Sequence, residues 1–200
     1  MTSTTRDRLL DAGLACFATK GVDGTPIVEL EERAGLASGS GGFYRYFRTK
    51  DDLLEAVVRR EIERVEATSG DPTRPQPDAS EVAGSRRWLV ERVSTAFDLM
   101  DSLEPLVAIL ARERDRIPGL AALIAGRLVA DGAHREQRTI ATALGTALDA
   151  GGSDAPGAVL LSAVVGFHLS AQYFGGSPTG IGREEFVDAL VDLVLGPDAP

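Results

Sequence analysis

Apolar residues in this chain recur at intervals of three and four along nearly its whole length, a spacing that admits helices and little else. Leu10, Leu14 and Phe17 open the pattern. Leu54, Val58, Ile62 and Val65 repeat it on one stripe, and Leu89, Val93, Ala96 and Met100 repeat it again with Phe97 at the edge. No segment alternates as a half-buried strand does, and no heptad array or internal repeat is sustained. The expected fold class is all-α.

Punctuation between the stripes sets the boundaries. A first helix is predicted over residues 5–19, stopped by Gly21. Thr25-Pro26 reads as an N-cap followed by proline at the first helical position, opening "PIVELEERA", which ends at Gly35. A third short helix is expected to include "FYRYF". Thr49 with Asp52 three residues on resembles a capping box and starts a fourth helix running to about Ala67. Residues 67–80, "ATSGDPTRPQPDAS", hold three prolines and almost nothing apolar, and read as a loop. Beyond it helices are expected over 81–101, 104–116, 118–149, 156–174 and 183–195. The division that follows is an N-terminal domain over 1–50, a connecting helix over 51–66, the loop, and a C-terminal domain over 81–200.

Charge is unevenly spread. The 200 residues carry a formal net charge of −9, yet residues 1–60 balance nine Lys/Arg against nine Asp/Glu. The acidic excess lies wholly beyond them, which argues against polyanion binding by the whole surface but leaves room for a local basic footprint. No apolar run is expected to cross a bilayer, and "MTSTTRDRLL" lacks the core of a secretory signal. A single cysteine, Cys16, excludes an intramolecular disulfide framework and makes a reducing cytoplasm the expected compartment.

The footprint is "SGSGGFYRYFRTKDDLL", residues 38–54. Three glycines fall within four residues, and four aromatics and three cations follow between Phe43 and Lys50 with no acid among them. Two short helices joined by a glycine-containing turn are the plan of a helix-turn-helix, whose second helix enters the DNA major groove. Here that helix would carry Tyr44, Arg45 and Tyr46, while Phe43 and Phe47, four apart, face the core. Cations attract phosphate, and tyrosine hydroxyls bond phosphate oxygens. Lys50, in the first turn of the next helix, adds its charge to a positive dipole end. A plain helical corner accounts for Phe43 and Phe47 but leaves Arg45 and Lys50 without a role.

These residues resemble the DNA-binding domain of TetR-type transcriptional regulators. The resemblance runs through "RLLDAGLACFATKGVDGTPIVELEERAGL" and "FYRYFRTKDDLL", over about residues 5–60. An apolar residue followed by Tyr, two variable residues, Phe and a nearby Lys is matched by Phe43, Tyr44, Phe47 and Lys50. In one respect the chain departs: "GLASGSGGFY" holds two residues more than the family's usual turn, so Ser38, Ser40 or Gly41 can lead the recognition helix. The resemblance implies contacts to double-stranded operator DNA from Thr25, Ser38, Ser40, Gly41, Tyr44, Arg45, Tyr46 and Lys50. It also implies a divergent helical domain that binds a small effector and dimerises through its last two helices.

The C-terminal pair is consistent with that plan. "GAVLLSAVVGFHLSAQYF" is apolar or small on almost every face, so it needs cover on both sides. A second copy packed as a four-helix bundle supplies it. Val164, Phe167, Ala171, Phe174, Phe186, Leu190 and Val194 are the expected interface of a homodimer. Phe97, Met100, Phe167 and His168 are candidates to line a pocket for an apolar or amphipathic effector, with a core or interface role as the alternative for each.

Chemistry of other kinds finds no footing. "SGSGGF" follows no strand and precedes no Gly-Lys-Ser/Thr, so it is not a phosphate loop. His134 and His168 lie near no nucleophile motif and make no metal spacing with Cys16. No enzyme, cofactor or metal is expected.

Overall fold

The computed structural model describes residues 4–39, 41–69, 82–113, 115–116, 119–146 and 153–198, which form two compact units. The described secondary structure is helical throughout. The first unit holds residues 1–71 and 103–124; the second holds 72–102 and 125–200.

In the first unit, α1 spans Thr5–Lys20. Thr4 and Asp7 form a reciprocal capping box at its start, and Gly21 closes it with φ +71°. Helix α2 spans Ile27–Arg33 and is capped by Pro26 rather than by Thr25. The Thr25 hydroxyl instead donates 2.7 Å back to the Gly21 carbonyl, which tightens the turn and removes it from the helix start. Helix α3 spans Lys50–Ser69 and begins on the expected capping box, with Asp52 N–H donating 3.0 Å to Thr49 Oγ1 and Thr49 N–H donating 3.1 Å to Asp52 Oδ2. Its stripe of Leu54, Val58, Ile62 and Val65 is buried, as are Leu9, Leu10 and Phe17 of α1. Each such side chain contributes roughly 1.5–3 kcal/mol by leaving water. Gly13 sits where α1 meets α3: a Cβ there would come within 3.1 Å of Leu53 and Val57.

Helix α4 spans Arg86–Ser102, α5 spans Glu104–Glu113 and the short α6 spans Leu120–Ile124. The sequence groups residues 103–124 with the C-terminal domain; the structure groups them with the N-terminal unit, where α5 packs on α1.

The second unit adds a π-helix at Ala125–Ala130, then α7 over Asp131–Leu144, α8 over Ala155–Tyr173 and α9 over Arg183–Leu195. The helix expected over 118–149 is thus interrupted just before Gly132 and ends at Gly145, φ +62°. Leu89, Val93 and Phe97 of α4 share one core with Ile140, Leu160, Val164, Phe167, Leu190 and Val191. Against the sequence expectation, α8 is long and apolar enough by length and composition to cross a membrane, yet only 28% of its apolar stretch is buried within the chain. Its alanines, glycines and serines hide that length from a search for large apolar residues.

The proline-rich loop expected over 67–80 lies outside the described residues from 70 onward.

Candidate nucleic-acid interface

The interface is built on the corner between α2 and α3. No α-helix follows the glycines there. The expected recognition helix is reduced to one turn of 3-10 helix, Phe43–Arg45, with Phe47 N–H donating 3.1 Å to the Phe43 carbonyl just beyond it. The physical reason lies in the turn: Gly39 and Gly41 both take φ +71°, a left-handed conformation incompatible with a continuing right-handed helix. Phe43 and Phe47 are buried with their rings 5.9 Å apart, and Arg6 lies over the Phe47 ring at 5.5 Å. That anchoring leaves Tyr44, Arg45 and Tyr46 exposed, with Tyr44 57% accessible. The edge-on contact of Tyr44 with Phe43, 5.4 Å between centroids, packs its ring while freeing its hydroxyl.

The remaining candidates are placed differently. Ser38 is exposed and Gly41 half-buried in the turn, while Ser40 lies outside the described residues. Thr25 is fully buried, its hydroxyl committed to Gly21. Lys50 is turned inward: Nζ donates 2.5 Å to the Val22 carbonyl and 3.0 Å to the Thr25 carbonyl, tying α3 to the α1–α2 turn. Neither Thr25 nor Lys50 presents its polar tip to a ligand in this conformation.

Sequence reasoning missed two supports of the corner. Glu31 of α2 is 1% exposed and accepts from the Gly39 and Phe43 amides, each at 2.9 Å. From the end of α5, Arg112 donates to the Ala18 and Thr19 carbonyls at 3.0 and 2.8 Å, and Glu113 accepts from Val22 N–H at 3.0 Å. Arg116 pairs with Asp23 at 2.9 Å and Asp51 at 2.5 Å. Its hydrogen bonds to Asp23, then to Asp51, raise the guanidinium pKa further, and Arg116 in turn lowers that of Asp23. Lys20, bonded to Glu29 at 2.8 Å, likewise lowers the Glu29 pKa. The partners of Arg112, Glu113 and Arg116 lie 65 to 94 residues away in sequence and leave no local signal.

The C-terminal candidates divide. Val164, Phe167 and Leu190, expected at a homodimer interface, are buried inside the second unit's own core. Phe186 and Val194 are partly buried against the same core, whereas Ala171 and Phe174 are exposed, Phe174 at 80%. Val159, Tyr173 and Leu193 are exposed apolar residues that the sequence reading did not select. Phe97, Phe167 and Phe186 form one aromatic cluster, centroids 4.4–5.9 Å apart, with Met100 packed partly buried against it. His168 is 3% exposed; its Nδ1 lies 3.3 Å from Asp101 Oδ1, and its buried Nε2 makes no hydrogen bond among the described residues. His134 is exposed, its Nδ1 3.2 Å from Asp154 Oδ1.

Buried Phe43 and Phe47, with Tyr44, Arg45 and Tyr46 outward, give this corner the arrangement of a helix-turn-helix DNA-contacting surface. Residues 9–57 match the family "Bacterial regulatory proteins, tetR family". Over 72 residues the chain is 36% identical to the HTH-type transcriptional repressor KstR of Rhodococcus jostii, covering 36% of this chain and 33% of that protein. It is 40% identical over 62 residues to KstR of Mycolicibacterium smegmatis, covering 31% and 29%. The matches thus span about a third of the curated relatives' length. Among solved structures, Salmonella enterica GusR superposes with a TM-score of 0.61 at 21% identity over 96% of this chain and 94% of its own. A Clostridium perfringens chain described as a candidate fatty acid metabolism regulator does so with a TM-score of 0.65 at 12% identity, over 95% and 97%. Over residues 9–57 the chain is thus similar to the DNA-binding domain of the TetR family, and over nearly its whole length it shares the fold of these solved structures.

Proposed function

We propose that this protein is a transcriptional repressor that binds a palindromic operator as a homodimer and is released by a small apolar or amphipathic effector. The observation that carries the DNA reading is the exposed trio Tyr44, Arg45 and Tyr46 held out by buried Phe43 and Phe47. Arg45 makes no hydrogen bond or ion pair among the described residues, so its charge is available to phosphate or a base edge. Ser38 and Gly41 flank it and complete the contact surface; Lys50 and Thr25 act from behind it.

The homodimer reading is supported by the uncovered stripe on α8. Val159, Ser162, Gly166 and Tyr173 are exposed along one face, and Phe174 follows at its end. Small residues there let another helix approach closely. We take this stripe as covered by a second copy rather than by lipid, and the protein as acting in the cytoplasm, where its DNA is. Within the second unit, Phe97, Met100, Phe167 and His168 are the proposed effector contacts, with the unpaired Nε2 of His168 as the polar anchor.

Selection of binding sites from random duplexes tests the reading. An enriched palindrome is expected, with half-sites about one helical turn apart because a two-fold dimer presents its reading turns about 34 Å apart. No enrichment from folded dimer would reject it in favour of a helical interaction module that does not bind DNA.

A further inference from the structure

We infer that Glu31 is the positioning residue of the DNA-reading turn, setting how Tyr44, Arg45 and Tyr46 meet a duplex; this rests on the operator-binding reading above. Glu31 is almost completely buried on α2, and no cation pairs with it among the described residues. A carboxylate buried without a cation is costly unless specific donors satisfy it. Here the donors are two backbone amides, Gly39 N–H to Oε2 and Phe43 N–H to Oε1, both at 2.9 Å. They lie eight and twelve residues away and bracket the glycine turn.

That bracketing matters because, among the described residues, no side chain packs against the turn's glycines at 39 and 41. Gly39 and Gly41 lie in the left-handed region, and a Cβ on either would meet nothing within 4 Å. Side-chain packing therefore does not fix the turn at these positions. Hydrogen bonds to an ionised acceptor are about twice as strong as neutral ones, and two on one carboxylate fix both distance and direction. The second of them ends at Phe43, the first residue of the 3-10 turn, so the bond that closes the glycine turn also sets where the next three side chains start. A turn without a recognition α-helix thus has a substitute for the helix's rigidity.

The two bonds make the inference separable from a plain stability role. Glu31→Gln keeps volume and one acceptor oxygen but turns an NH2 toward the second amide. Glu31→Ala leaves both amides unpaired. The full-length variants are compared on the selected palindrome and on a scrambled duplex, with affinities corrected for folded fraction. Amide hydrogen exchange at Gly39 and Phe43 is followed by NMR.

In Glu31→Gln the operator-to-scrambled affinity ratio is expected to fall roughly tenfold, and further in Glu31→Ala. Affinity for the scrambled duplex and its salt dependence stay unchanged, because Arg45 keeps its charge. Both amides exchange faster in each variant. An unchanged ratio in folded Glu31→Gln overturns the inference, as does wild-type exchange at Gly39 and Phe43 as fast as in solvated loops. If wild type prefers no duplex while these amides are protected, the operator reading fails and the positioning role falls with it, leaving Glu31 a structural brace. Should Glu31→Ala fail to fold, Glu31→Gln alone decides.

Discussion

Arg45 and Lys50 sit five residues apart in one basic stretch, yet the structure gives them separate work. Arg45 is exposed and unpaired among the described residues, whereas Lys50 holds the carbonyls of Val22 and Thr25. Arg45→Ala should leave the unfolding free energy within about 0.5 kcal/mol, as expected of a surface change. It should weaken operator binding and, if the side chain meets phosphate, lower the salt slope by about 0.9 for each phosphate it no longer neutralises. Lys50→Ala should instead cost about 1.5–3 kcal/mol of stability, because it removes charged hydrogen bonds to two carbonyls. Thermal or denaturant unfolding and a salt titration of binding, run on both variants, separate the roles. Equal stabilities would show that Lys50 does not hold the turn. The sequence made both residues cationic candidates; which one faces inward depends on carbonyls 25 and 28 residues distant.

Elements were legible wherever one stripe decided them. Leu54, Val58, Ile62 and Val65 are all buried, and the capping box at Thr49 starts α3 where expected. Legibility failed at two kinds of place. "FYRYF" carries helical spacing but makes only a single 3-10 turn, because the glycines before it take positive φ and the stabilising carboxylate comes from α2. On α8, apolar residues occupy most faces, so periodicity could not say that Val164 and Phe167 point inward while Val159 points outward. Glycine at 157 marks that inward side more sharply than any apolar residue. A Cβ there would stand 2.2 Å from the Ala133 carbonyl oxygen and 2.4 Å from Gln137 N, and Gly157 N–H donates 3.0 Å to Gln137 Oε1. Gly157→Ala must therefore push α7 and α8 apart, and is expected to cost about 3 kcal/mol or more, at or beyond the usual range of overpacking. A midpoint within a degree of wild type would mean that the helices are less tightly apposed than this.

On the scale of the molecule the question is how an effector, bound in the second unit as proposed, would act on the reading turn in the first. The chain passes between the units at 102/103 and again at 124/125. The first crossing joins α4, which carries Phe97 and Met100, to α5, which ends on Arg112 and Glu113 with Arg116 just beyond. Those residues bond the carbonyls of Ala18 and Thr19, the amide of Val22 and the carboxylates of Asp23 and Asp51. A shift of α5 therefore bears on the same turn that Lys50 holds and on the first residues of α3. The second crossing coincides with the π-helix Ala125–Ala130, a geometry that often accompanies functional sites. An effector acts only through its differential affinity for DNA-competent and DNA-incompetent states. A coupling of about 1–3 kcal/mol would lower operator affinity by roughly 5- to 150-fold, and by linkage the operator must lower effector affinity by that same factor. Arg116→Ala should shrink both factors equally, because it cuts the bonds from α5 to Asp23 and Asp51 without touching the proposed effector contacts. Calorimetric titration of the effector with and without saturating operator, and of operator with and without effector, checks the reciprocity in wild type and variant. Undiminished coupling in folded Arg116→Ala would place the transmission elsewhere than at the end of α5.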